Sequence, residues 1–552
     1  MKQKKLIQFD HGHIQLPFWL RHSRRSMIFA LAAAIFVGVF VLVRLLYVGH
    51  PLDWDESVYA VKVMSWVHGT PSESFSLYRP IGVPAIAWLF SFFAQPEVPS
   101  LGQVTSWSSY QQGLESSAIL LRFFGGFFAA VAATLLFLLV SRMSSVLIGF
   151  ATVAVSVTSF LFLSQAPLLS NDIAAAGLLL GTMLCIWRHY RSGGRDRFLY
   201  GAVLFAALAF YVRYGVGLYL SVIFFATVIL FMMQAYGRDD DRVRTDGERF
   251  YFNHSLKSLV LFVALLLPHF LYSMLLFGRD PLGILRLAGR AAERSYFGEG
   301  LVDYALLLPE VLVSPVTRGL VALGLVGTFA LFFVRRFDLF FVPHREYRAL
   351  YWSASIALSC LLLVGLLVHG EPRYLFFPLL LLIMIGVWFV DRTLRQFHPF
   401  LASLALFLLI GWSASVLPTR IAQVNALHAV QDEYRSSFVS AAQIIAADVA
   451  DRRDRCFVWT TEAPQISLYS GCHTLQYDPD ILIEQLTIHR DDVLYLTVFD
   501  HTDKAQPVVE ALRALGIVLH PVDTEASQKV FGSTAVYRMF YAGSGGTERL
   551  TK

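Results

Sequence analysis

The stretch MIFALAAAIFVGVFVLVRLLYV, Met27 to Val48, runs directly into GHPLDWDESVYA, Gly49 to Ala60. The first part is apolar almost throughout. At 1.5 Å per helical residue it can cross a hydrocarbon core of roughly 30 Å. The second part then sets Asp53, Asp55 and Glu56 at a membrane surface. Ionised side chains there are costly unless they face water, a partner or a substrate, so the trio marks a candidate functional site. The plainer alternative is a solvated loop in which Asp53 or Asp55 caps a helix from Ser57 to His68.

Runs of this kind recur along a chain of 552 residues that is 56% hydrophobic and 15% charged, which excludes an ordinary soluble protein. The class is a polytopic α-helical membrane protein. A formal net charge of +5 is too small to point to nucleic acid. The basic N-terminus precedes an apolar run that is too long for a signal peptide and lacks a small-residue cleavage site, so it reads as an uncleaved first span. Of the four cysteines, Cys185 and Cys360 fall in apolar runs as core filler.

Residues 1–26 carry Lys2, Lys4, Lys5, Arg21, Arg24 and Arg25 and are expected in the cytoplasm. A first outer loop, 49–117, contains a short apolar stretch, Ile81 to Ala94, read as a surface-lying or re-entrant helix. Spans at 27–48, 118–140, 146–163, 172–188, 198–212, 215–235, 257–277, 313–334, 349–368, 373–391 and 398–416 follow from hydropathy. Threaded alternately, they put Arg142, the group Arg188, Arg191, Arg195 and Arg197, then Arg238 to Arg249, Arg335 to Arg348, and Arg392 with Arg395 on the inner side, as the positive-inside rule demands. About 11 transmembrane helices follow, with the N-terminus inside a plasma (inner) membrane and the C-terminus outside. The same threading collects Asp55, Glu56, Arg79, Asp172, Arg213, Tyr214, the loop from Gly278 to Tyr304, and the run from His369 to Tyr374 at the outer face. Solvated loops explain each residue singly but not the convergence of both charge signs on one side.

The transmembrane region is expected over 27–416 and a small extracytoplasmic α/β domain over 417–552. Ile421 to Arg455 reads as helix and Gln506 to Leu515 as an amphipathic helix. Cys456 to Thr460, Val493 to Phe499, Ile517 to Pro521 and Ala535 to Tyr541 read as strands. Cys456 and Cys472 fit either a disulfide in an oxidising compartment or two buried thiols. No P-loop, dinucleotide fingerprint, internal repeat or metal-ligand cluster occurs, which argues against an ATP-driven pump.

An outer-face enzyme has no cytoplasmic nucleotide sugar, so a synthetic reaction there needs a donor already activated in the membrane, such as a lipid-phosphate-linked sugar. Transfer needs a carboxylate to orient or deprotonate the acceptor hydroxyl and cations to stabilise the departing phosphate. Asp55 and Glu56 can supply the first. Arg79, Arg213 and Arg373 can supply the second, because the guanidinium fork suits phosphate.

The order of motifs resembles the lipid-phosphate-dependent GT-C glycosyltransferases, in the branch of protein O-mannosyltransferases and aminoarabinose transferase. The resemblance rests on Asp55-Glu56-Ser57-Val58-Tyr59-Ala60, Tyr78-Arg79-Pro80-Ile81, Leu121-Arg122-Phe123, Leu169-Ser170-Asn171-Asp172, Ala209 to Gly215 around Arg213, and Pro372-Arg373-Tyr374-Leu375-Phe376-Phe377-Pro378. It covers residues 27 to 416 and leaves the C-terminal domain uncovered. Tyr78 stands where the family has an acidic residue, Arg79 where it has lysine, and Ile81 where it has a second proline, which leaves sugar and acceptor open.

The resemblance implies a GT-C-like glycosyltransferase that takes a hexosyl or pentosyl group from a polyprenyl-phosphate donor. The acceptor would be an extracytoplasmic glycan, lipid or protein, and the displacement inverting. Asp55 would be the base, Glu56 and Asp172 would shape the acceptor side, and Arg79, Arg122, Arg213, Arg373 and Tyr374 would hold the donor phosphate. No cofactor is required by this chemistry, and a divalent cation is compatible with it. Structural alternatives stand beside these roles: Arg122 as the ion-pair partner of a carboxylate, and Tyr374 as an interfacial anchor. Arg279, Arg286, Arg290 and Arg294 belong either to a lipid-phosphate or anionic-acceptor site or to a surface helix on headgroups. Rival functions are a transporter or lipid flippase, whose charges would lie nearer the midplane, and a non-catalytic GT-C relative in cell-envelope assembly.

Overall fold

Apolar runs broken by short polar turns dictate a helical bundle, because inside a bilayer only helices and closed barrels satisfy their own backbone. The computed structural model describes residues 18–46, 52–68, 79–94, 121–192, 195–236, 241–290, 296–333, 344–449, 456–476, 492–499, 505–514, 516–523 and 534–541. In chain order the helices are α1 (Phe18–Arg44), α2 (Trp54–His68), α3 (Gly82–Ala94), α4 (Phe123–Met143), α5 (Val146–Val157), α6 (Phe160–Gln165), α7 (Asn171–Arg191) and α8 (Asp196–Val212). They continue as α9 (Val216–Tyr236), α10 (Asp241–Leu276), α11 (Gly283–Arg290), α12 (Glu299–Leu312), α13 (Pro315–Phe333), α14 (His344–Leu367), α15 (Phe376–Phe397) and α16 (Pro399–Val449).

Residues 47–48, 118–120 and 334 of the expected spans lie outside the described residues; the rest of the expected spans are largely helical. Among the described residues seven helices are long and apolar enough to cross a membrane, and three further apolar helices are shorter. The segment 146–163 departs from expectation, since it is not one span but α5 and α6 with a break at Thr158 and Ser159. Thr158 Oγ1 donates back to the Ala154 carbonyl (2.8 Å), and the Ser159 hydroxyl accepts from the Phe162 N–H (3.3 Å). These hydroxyls offer the backbone an alternative to the helical ladder and start a new helix. The stretch Ile81 to Ala94 is helical as α3, with Val83 and Ala87 fully buried. Part of the Gly278 to Tyr304 loop forms α11, where Arg286 pairs with Asp280 at 2.7 Å; Arg294 lies outside the described residues.

A change of composition near 416 does not interrupt the backbone. α16 passes through it and through Pro418, and is about 75 Å long at 1.5 Å per residue, more than twice the hydrocarbon thickness. Its far half carries a small C-terminal α/β domain. There β1 (Cys456–Thr460), helix α17 (Ala463–Ser470), β2 (His473–Gln476), β3 (Val493–Phe499), helix α18 (Ala505–Ala514), β4 (Ile517–Asp523) and β5 (Thr534–Tyr541) form a sheet in the order β2-β1-β3-β5-β4. β1 runs parallel to β2 and β3, while β5 runs antiparallel to β3 and β4. Strand alternation separates two faces. Phe457, Trp459, Leu494 and Leu496 pack with Leu512 of α18, while Val458 and Tyr495 join the core that contains Phe438, Ala441 and Ile445 of α16. Cys456 and Cys472 form a disulfide, and Cys185 and Cys360 are free thiols.

Candidate active site

The residues before α2 close its first turn. Asp53 Oδ1 accepts from the Glu56 N–H at 2.8 Å, and Glu56 Oε2 accepts from the Asp53 N–H at 3.2 Å. This reciprocal capping box satisfies two backbone donors at the helix start, so Asp53 is the cap and Asp55 projects from the first turn. Glu56 is fully buried. Its carboxylate takes Arg122 Nε at 3.0 Å, Arg122 Nη2 at 2.9 Å and the Leu169 N–H at 2.8 Å. Burial pushes the Glu56 carboxyl up, but the Arg122 charge and bonds outweigh it and leave Glu56 below its ordinary range. The turn at Leu169 sits close because Gly125 has no side chain; a Cβ there would collide with the Leu168 carbonyl.

Asp55 lies between two arginines. Arg79 Nη2 is 2.8 Å from Oδ1, and Arg373 Nη1 is 2.6 Å from Oδ2. Burial pushes the Asp55 carboxyl up as well, yet Arg79 first and Arg373 next hold it below the usual carboxylate range. Arg373 Nε also donates to Glu371, whose other oxygen meets His369 Nε2 at 3.0 Å. The short 3-10 turn Pro372–Leu375 presents Arg373 and Tyr374. Ahead of it the Gly370 N–H donates to Asp303 Oδ2 at 3.1 Å, in a contact so close that a Cβ at Gly370 would strike the Asp303 side chain.

Asp172, in the first turn of α7, pairs with Arg213, the extended residue that ends α8. The Arg213 guanidinium lies over the Tyr374 ring at 4.6 Å, and that of Arg373 approaches the same ring at 5.7 Å. Tyr219 donates to the Tyr374 carbonyl. Asp55, Arg79, Asp172, Arg213, Arg373 and Tyr374 therefore meet at one end of the bundle, while Glu56 and Arg122 pair in the interior. The Tyr374 ring is close to both arginines, and its hydroxyl faces His369 Nε2 at 3.4 Å. An apolar cavity of about 450 Å³ lies among α7, α8, α9 and α10, lined by Phe210, Leu220, Phe224, Phe262 and Leu266 and reaching His189 and Leu199.

Several residues at the site carried no role in the sequence reading. Glu371 was legible in principle, since it stands two residues before Arg373. Tyr59 follows Asp55 by one helical turn, and its phenol is pushed well above its ordinary range by burial. Nothing in sequence signalled Arg435, whose Nη2 is 3.6 Å from Asp53 Oδ2, or Tyr469, whose hydroxyl accepts from the Leu52 N–H at 2.8 Å. Through these two residues the C-terminal region touches the start of α2.

The chain matches the aminoarabinose transferase ArnT from Cupriavidus metallidurans in the apo state with a TM-score of 0.58 at 10% identity, over 94% of this chain and 98% of that one. This chain has the GT-C fold. The same ArnT bound to undecaprenyl phosphate matches with a TM-score of 0.54 at 12% identity and the same coverage. The apo oligosaccharyltransferase of Archaeoglobus fulgidus matches with a TM-score of 0.49 at 11% identity, over 85% of this chain and 69% of that one. No protein-family model and no curated protein sequence matches the chain. Among the described residues of this GT-C fold, no three His, Cys, Asp or Glu side chains converge as a metal-binding group.

Proposed function

We propose that this protein is a membrane glycosyltransferase that moves a sugar from a polyprenyl-phosphate carrier to an extracytoplasmic acceptor. The observation that carries this reading is the placement of Asp55 between Arg79 and Arg373, beside the Asp172–Arg213 pair, at one end of a GT-C bundle. Three guanidiniums in that space suit the phosphate of a lipid-linked donor. The apolar cavity among α7, α8, α9 and α10, whose lining includes Phe210 and Gly217 on either side of Arg213 in sequence, offers room for its prenyl chain. ArnT, of the same fold, binds undecaprenyl phosphate. The Cys456–Cys472 disulfide fits an outer domain in an oxidising compartment.

In the reaction the acceptor oxygen attacks the anomeric carbon from the face opposite the phosphate. The carbon–oxygen bond to phosphate breaks, the phosphate keeps the electron pair, and the acceptor proton passes to Asp55. A carboxylate held below its ordinary range by two arginines is a poor base. The arriving phosphate competes for Arg79 and Arg373, which loosens their hold on Asp55 and raises its basicity as the donor seats. Donor binding thus precedes productive acceptor binding. Asp172 keeps Arg213 aimed over Tyr374. Glu56 and Arg122 act as positioning residues, because their polar groups are already occupied by each other and by the Leu169 amide.

The test is to incubate the purified full chain with radiolabelled lipid-linked sugars and an acceptor fraction from the same membranes, and to follow release of free polyprenyl phosphate. Acceptor-dependent release is expected. Absence of release from every polyprenyl-phosphate sugar offered contradicts the reading.

A further inference from the structure

α7 starts at the candidate active site with Asp172 and ends at Arg191, roughly 30 Å away at 1.5 Å per residue. At that far end lies a cavity of about 380 Å³. Arg142 reaches it from the end of α4, Arg188 and Arg191 from the last turn of α7, and Arg195 and Arg197 from the start of α8. Phe198 and Trp187 line it too. The guanidiniums of Arg188 and Arg197 stand 4.7 and 4.9 Å from the centre of the Phe198 ring.

The described residues on either side of 193–194 are bonded to one another. The buried His189 ring uses Nδ1 to meet the Arg195 carbonyl at 3.1 Å. The Ser192 hydroxyl accepts from the Arg195 N–H at 3.3 Å and donates to the His189 carbonyl at 3.1 Å. No carboxylate among the described residues pairs with Arg188, Arg191, Arg195 or Arg197. Asp196, between two of them in sequence, meets His254 Nε2 at 2.8 Å instead.

A topogenic signal needs only positive charge in a loop. It does not need two loops to converge on one cavity, an aromatic wall, or arginine at every position. Guanidiniums stack on rings and grip phosphate with a planar fork, and like charges gathered around a cavity favour an anion among them. Basic pockets between transmembrane helices suit anionic headgroups. We propose that this cavity binds a phosphate-bearing group, delivered either by an anionic lipid of the leaflet opposite the active site or by a soluble phosphate compound.

The test measures retention of phosphatidylglycerol and of phosphatidylcholine by the purified full chain in neutral detergent, using native mass spectrometry. It compares the native chain with the variant Arg188→Lys, Arg191→Lys, Arg195→Lys, Arg197→Lys, which keeps every charge. Preferential retention of phosphatidylglycerol, weakened on the order of tenfold in the lysine variant, is expected. Millimolar inorganic phosphate then separates the sources: displacement of the lipid marks a site for phosphate itself, and persistence of the lipid marks a headgroup site. Equal retention of both lipids, or undiminished phosphatidylglycerol binding by the lysine variant, overturns the proposal.

Discussion

Arg122 and Glu56 form a two-pronged ion pair, with contacts of 3.0 and 2.9 Å between side chains that are almost completely buried. One partner comes from the start of α4 and the other from the first turn of α2, so the pair fixes the helix that carries Asp55. Removing one member leaves the other charge buried and unpaired, which costs about 3–5 kcal/mol. Glu56→Ala and Arg122→Ala should each lower the melting temperature of the purified protein sharply. The double variant should lose less than the sum of the two. Additive losses in such a cycle would show that the pair does not hold α2.

Arg79 and Arg373 both face Asp55, and both are assigned to the donor phosphate. Arg79→Lys and Arg373→Lys keep the charge but lose the fork. Each should raise the KM for the lipid-linked donor by about tenfold, the margin of one charge-assisted bond, with the acceptor KM little changed. Steady-state kinetics with both substrates varied checks this, together with the donor-first order of binding. Equal rises in both KM values would remove the phosphate role.

Glu462 in the C-terminal α/β domain gives a signed pH effect. Burial pushes its carboxyl up from an ordinary 4.5 to about 7. Between those values the folded state holds a proton that the unfolded chain has released, so stability falls as pH rises through this window, and is level on either side. The slope is at most about 1.4 kcal/mol per pH unit. Glu462→Gln removes the effect. Its melting temperature relative to the native chain should climb from pH 4.5 to 7 and then stay constant; a difference independent of pH would contradict the burial account.

Much of the architecture was legible because it rests on local patterns. Apolar length set the helices, and short apolar runs between polar segments set β1, β3, β4 and β5. β2, with Leu475 as its one large apolar residue, gives no such run. The break at Thr158 and Ser159 was hidden because side-chain bonds to the backbone leave hydropathy unchanged. At the site, sequence brought forward Asp55, Arg79, Asp172, Arg213, Arg373 and Tyr374 as a group, because topology sorts charges by side. It could not show that Glu56, unlike Asp55, is sealed in an interior ion pair. That distinction depends on Arg122 and Leu169, which only folding brings to Glu56. The docking of Tyr469 and Arg435 on the start of α2 is likewise a long-range contact with no local signature.

The most direct test of the account is turnover by Asp55→Asn with the purified chain, a labelled polyprenyl-phosphate sugar and its acceptor. The substitution removes the base but leaves Arg79 and Arg373 in place and unneutralised by it. Turnover should fall by at least about 100-fold, while the chain stays folded and donor binding is retained or tightened. Turnover within about twofold of the native chain, well inside the range that general-base catalysis spans, would contradict the central role assigned to Asp55.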